Sequence, residues 1–265
     1  MTAGFIRREP TDHTRLHSQP KVVASLKGVG WLSFFDKLDG FDDAIALEFA
    51  QNSEHIQVQD NQTHEFHTNV RGLDIGVNED FISEVTEIPR GQPWDKDDRA
   101  LNNRAKTSFF RSYEKSESNR NGVKRESLPD EWGEVAYHIM KYLTCEGRLS
   151  IVYAYHLRML YQIRNLSYQK PQQRISIPHL LLHSLKEMCI RVKKGKLDAV
   201  AHHCLIKLIV CHKLQEQLPQ ISWNQFVQVG VGQDKAPDTE NPMTPPTREE
   251  SAVRIHKAFL AEARG

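Results

Sequence analysis

Apolar side chains recur at helical spacing through most of this chain, and the densest local pattern is Val70 to Gly91, VRGLDIGVNEDFISEVTEIPRG. Gly72 permits a tight backbone reversal, after which Leu73, Ile75 and Val77 alternate as a half-buried strand does. Asn78 is placed to cap a helix, and Glu79 and Asp80 put negative charge against its dipole. Phe81, Ile82, Val85 and Ile88 fall on one face, and Pro89 stops it.

Residues 1–18 are polar and aperiodic and are expected to be disordered. Val22, Val23 and Leu26 begin an apolar face that Gly28 and Gly30 weaken and Trp31, Leu32, Phe34, Phe35 and Leu38 resume; Gly40 breaks it. From Asp42 a further helix carries Phe41, Ala44, Ile45 and Phe49. Ile56 and Val58 alternate weakly, as a marginal strand that would pair with residues 70–77. A loop with Trp94 leads to a polar helix over 97–113 with Leu101, Ala105 and Phe109 as its stripe, and residues 114–127 read as a flexible loop.

Four stronger helices follow. Trp132, Val135, Ala136, Ile139, Met140 and Leu143 define the first, and Ile151 to Ile163, apolar almost all round, predicts a central buried helix. Ser176 and Pro178 open the next, with Leu181, Leu185, Met188, Cys189 and Val192 inward; Val200, Cys204, Leu208 and Cys211 form the face predicted for the last. Trp223, Phe226 and Val227 make a short closing helix, and 230–265 reads as a linker with a small amphipathic helix. The expected fold is mainly α: a single multi-helix domain over 19–229, of about seven or eight helices, with a small two- or three-stranded β element in its N-terminal third.

At 265 residues the chain can bury a substantial core. Its 35 Lys and Arg against 34 Asp and Glu leave a formal charge of +1, so any attraction to nucleic acid must be local. No apolar run reaches the ~18–20 residues of a membrane helix and no signal peptide opens the chain, which predicts an intracellular protein, cytoplasmic or nuclear, with no membrane partner. Cys145, Cys189, Cys204 and Cys211 sit in apolar contexts and read as reduced buried thiols.

Four stretches together resemble the plant transposon-protein domain family, found in retroelement-derived reading frames of land plants. They are the 70–91 segment, GWLSFFDKLDGFDDAIALEFAQN (30–52), LPDEWGEVAYHIMKYLTCEGR (128–148) and ISIPHLLLHSLKEMCIRVKKGK (175–196). The resemblance covers roughly residues 20 to 217. Its motifs consist of core and turn residues, so it implies a fold and an origin and no reaction.

Three groups carry candidate chemistry. His202, His203, Cys204, Cys211 and His212 could offer zinc ligands, but their spacing matches none of the usual Cys-x-x-Cys or His-x-x-x-His pairs, and the core reading of the cysteines is favoured. Asp36, Asp39, Asp42 and Asp43 lack the order of a calcium loop, and Asp42 with Asp43 suits a helix start. Arg191, Lys193, Lys194 and Lys196, with Arg120, Lys124 and Arg125, are the plausible phosphate-facing set, although lysines at a helix C-terminus are favoured by its dipole without any ligand. No nucleophile elbow, phosphate loop or dinucleotide fingerprint is present. The sequence therefore predicts a non-enzymatic helical module without cofactor that works through a protein partner or self-association, with nucleic-acid binding as the alternative.

Overall fold

Backbone hydrogen bonding and apolar burial divide the first forty described residues into four short helices: α1 (His13–His17), α2 (Pro20–Gly28), α3 (Leu32–Lys37) and α4 (Asp43–Gln51). The computed structural model describes residues 12–54, 65–91, 109, 122–145, 148–165, 175–197 and 200–229. Gly30, at φ 76°, closes α2: its N–H donates to the Lys27 carbonyl and that of Trp31 to the Leu26 carbonyl. This reversal turns Trp31, Phe34 and Phe35 into the core.

Residues 12–18 depart from the expectation of disorder. Asp12 caps α1 by accepting from the Arg15 N–H at 2.9 Å, and Leu16 is fully buried. Five residues hold too few hydrogen bonds to offset helix nucleation, so contacts with the body sustain the helix. The Tyr142 hydroxyl accepts from the Asp12 N–H, and the Arg15 guanidinium grips both Glu134 carboxylate oxygens while lying over the Tyr137 ring.

The 66–77 segment follows its sequence logic. Strands β1 (Phe66–Val70) and β2 (Leu73–Val77) pair antiparallel, Val70 opposite Leu73, through a two-residue turn in which Arg71 and Gly72 both have positive φ. The Asn69 side chain accepts from the Gly72 N–H, and the buried positions alternate. Glu54 bridges to His67; the strand expected at 56–58 lies outside the described residues. The Asn78 side chain caps α5 (Glu79–Thr86), which buries Ile82 and Val85 and ends with Glu87 in a left-handed conformation two residues before Pro89.

A second sheet was not expected. Within the segment read as a loop, Gly122–Lys124 form β3 and Arg125–Ser127 a 3-10 turn; β3 pairs with β4 (Ile151–Tyr153). The run predicted as one helix from Ile151 is thus divided: three residues are extended, and α7 (Ala154–Arg164) begins after them. Between the strands lies α6 (Asp130–His138), which continues into a π-helical turn, Ile139–Leu143. Of the predicted 97–113 helix only Phe109 is described, buried against Trp132.

The remaining helices are α8 (Ile177–Lys193), α9 (His203–Gln217) and α10 (Trp223–Val229). Ser176 caps α8, whose buried face includes Leu181, Leu185, Met188, Cys189 and Val192 as the spacing predicts. On α9 the buried apolar residues are Leu205, Ile206, Ile209, Val210 and Leu214, while Cys204, Leu208 and Cys211 are half-buried, so the predicted stripe is rotated from the real one. The result is a mainly helical body with ten α-helices and two two-stranded antiparallel sheets among the described residues. Buried polar groups stitch it together. Glu79 at the start of α5 accepts from the Ser176 hydroxyl and meets His179 on α8 at 3.3 Å, and Arg71 binds carbonyls of Phe226 and Val227 on α10.

Candidate functional site

The histidines and cysteines around α9 do not converge. His202, left-handed at φ 56° and buried, places Nε2 2.7 Å from the Ser184 hydroxyl and Nδ1 3.3 Å from the Cys145 sulfur. Burial pushes its pKa down to about 4, so it is neutral at physiological pH. His203 faces the start of α4, with Asp43 at 3.5 Å and the Phe41 ring edge-on, whereas His212 faces α5, with Glu84 at 3.3 Å and Phe81 edge-on. Cys204 and Cys211 are seven residues apart, about 10 Å along a helix rising ~1.5 Å per residue, which is too far for one ion. Burial raises both thiols to about 11, away from the thiolate that binds metal or attacks substrate.

The acidic set disperses as well. Asp42 accepts from the Ile45 N–H and caps α4, as expected, and Asp39 binds Lys207 at 3.2 Å. Only Asp36 joins a group of possible ligands.

Arg191, Lys193, Lys194 and Lys196 are all exposed around the end of α8. That end is well closed: the Gly195 N–H donates to the Val192 carbonyl and the Lys196 N–H to that of Arg191, with Gly195 at φ 82°. Leu197 beside them is 52 % exposed, the one large hydrophobic side chain exposed among the described residues. Of the other two predicted cations, Lys124 is exposed on β3, but Arg125 is committed inward, 3.6 Å from Glu134 and over the Tyr137 ring. Arg120 lies outside the described residues.

Sequence reasoning missed one constellation. His13 and His17 stand one turn apart on α1, and both point to Asp36 on α3. His17 Nε2 lies 2.8 Å from Asp36 Oδ1 and His13 Nδ1 3.9 Å from it, and the three ligand atoms lie within 4.8 Å of one another. The imidazoles are roughly parallel, 6.5 Å apart. Among the described residues no other group of three His, Cys, Asp or Glu side chains meets in this way. The signal was legible as His-x-x-x-His in HTRLH, but assigning 1–18 to disorder removed the helix that gives that spacing its meaning.

No family model, curated protein or solved structure matches the chain.

Proposed function

We propose that the chain is a non-enzymatic helical module, of plant retroelement origin as its motif resemblance implies, that acts inside the cell through protein contacts, self-association among them. The observation that carries this reading is the end of α8, where Leu197 stands exposed among Arg191, Lys193, Lys194 and Lys196. An exposed leucine that follows a run of exposed cations suits a protein surface that offers an apolar pocket with an acidic rim. A phosphate backbone has no pocket for the leucine, and Arg125, another cation of the nucleic-acid reading, is paired with Glu134. No helix among the described residues is long and apolar enough to cross a membrane.

Light scattering of the full chain at ~0.15 M salt, with and without single-stranded RNA, tests the reading at an ionic strength that strongly screens exposed charges. Association should persist there, weaken in Leu197→Asp, and be indifferent to RNA. Four phosphate contacts would instead give a log-log salt slope of about −3 to −4. Tight RNA binding at this salt, abolished by changing Lys193, Lys194 and Lys196 to Ala, would make the basic helix end a nucleic-acid site.

A further inference from the structure

We propose that His13, His17 and Asp36 form a binding site for a divalent transition-metal ion of the zinc class, joining α1 to α3. The inference is independent of the function proposed above and stands on three features.

The first is the donor set. Two imidazoles and one carboxylate suit zinc, cobalt, nickel or copper; magnesium and calcium prefer oxygen ligands throughout. Three protein ligands also leave one tetrahedral position for water or for a donor from another molecule.

The second is spacing. Zinc holds imidazole nitrogen and carboxylate oxygen at about 2.0–2.2 Å, so tetrahedral donors stand ~3.3 Å apart. The present separations of 2.8 and 3.9 Å from Asp36 Oδ1 bracket that value. His17 and Asp36 are exposed and His13 half-buried, so their rotamers can close on an ion without disturbing the core.

The third is preorganisation. Leu16 is fully buried and stands about 60–100° around the helix from the two histidines, so the adjacent side of α1 is anchored in the core. The fork from Arg15 to Glu134 and the Asp12 N–H to Tyr142 bond fix the helix in rotation and along its axis. On the other side Phe34 and Phe35 anchor α3, and Lys37 is tied to Glu87 at 2.7 Å. Both halves of the site therefore rest on the core, and an ion bound there would replace the His17–Asp36 hydrogen bond, with both side chains becoming its ligands.

The test uses the full chain purified without a histidine tag, titrated with Zn²⁺ by calorimetry and with Co²⁺ by its visible absorption. One equivalent of Zn²⁺ should bind and raise the thermal midpoint. His13→Ala, His17→Ala and Asp36→Ala should each weaken binding by roughly tenfold or more, as loss of a metal ligand does at least as strongly as loss of its supporting partner. These side chains lie at the surface, so the variants should fold; the circular dichroism of each is checked against the parent. Zinc binding no greater than that of the triple variant would overturn the proposal and leave an ordinary His–Asp pair. So would binding that survives in the triple variant but is lost in Cys204→Ser or Cys211→Ser.

Discussion

Helices α1 and α9 both carry histidines, and they use them in opposite ways. The five-residue α1 has one buried side chain, Leu16, and sets His13 and His17 one turn apart beside Asp36 at the surface. The fifteen-residue α9 is rich in apolar residues, and its histidines leave in separate directions: His202 toward Ser184 and Cys145, His203 toward α4, His212 toward α5. A rich local supply of ligand-type residues is thus a poor guide to a site. At α1 convergence comes from the i, i+4 interval on one helix and a third donor placed by a second element.

Acid should separate the two uses most strongly. Burial pushes His202 and His138 down to about 4 and His156 to about 3, against about 6.5 in an unfolded chain. Between those values the unfolded chain binds more protons, so stability is fully present above pH 6.5 and is lost as pH falls toward the folded values. At pH 5 each buried histidine should cost about 2 kcal/mol, an order-of-magnitude figure from ~1.4 kcal/mol per pH unit. Urea unfolding between pH 7 and 5 should show this loss, and His202→Asn should reduce it. A flat profile would mean that these rings are not held neutral.

A second contrast concerns reach. Ile206→Ala on α9 and Leu16→Ala on α1 each remove fully buried atoms, at a cost of about 2–5 kcal/mol. For Ile206→Ala the whole unfolding transition should move. Leu16→Ala should chiefly release α1, seen as faster amide exchange at residues 13–17, with zinc binding weakened alongside. Equal, global destabilisation by both would erase the distinction between a docked helix and a core helix.

The smallest effect tests two buried histidines against each other. His202 has a partner at each ring nitrogen, whereas neither nitrogen of His138 has one among the described residues; its ring stacks on Tyr142 and meets Phe35 edge-on. His138→Phe should keep the ring packing, remove an unsatisfied polar group and stabilise the fold by about 1–2 kcal/mol, seen as a higher thermal midpoint. The same change at His202 should lower stability, since Ser184 would lose its partner. A destabilised His138→Phe would reveal a polar contact that matters.

Much of the fold could be read from the chain because the responsible forces are local. The Asn78 and Ser176 caps, the reversal at Gly72, the alternation of Leu73, Ile75 and Val77 and the inward face of α8 all depend on residues within a few positions of one another. The face of α9 could not be read in the same way. Leu205, Ile206, Leu208, Ile209 and Val210 are apolar on nearly every side, so the spacing admits more than one stripe, and only packing against α4, α5 and β2 selects the buried one. The π-helical turn after α6 likewise carries the apolar spacing of an ordinary helix, so no local pattern marks it.

Sequence by itself determined that the chain is mainly helical, where the helices capped by Asp42, Asn78 and Ser176 and the reversal at Gly72 lie, and that its balanced charge leaves only local basic patches, because propensity, capping and charge count are properties of neighbouring residues. Tertiary structure decided the rest. The strands β3 and β4 are three residues each and pair Gly122 with Tyr153, a register that no short window contains. The helix α1 exists because Tyr142 and Glu134, more than a hundred residues away, hold it in place. The candidate metal site depends on that same long-range docking, since without it His13, His17 and Asp36 would have no fixed geometry to share.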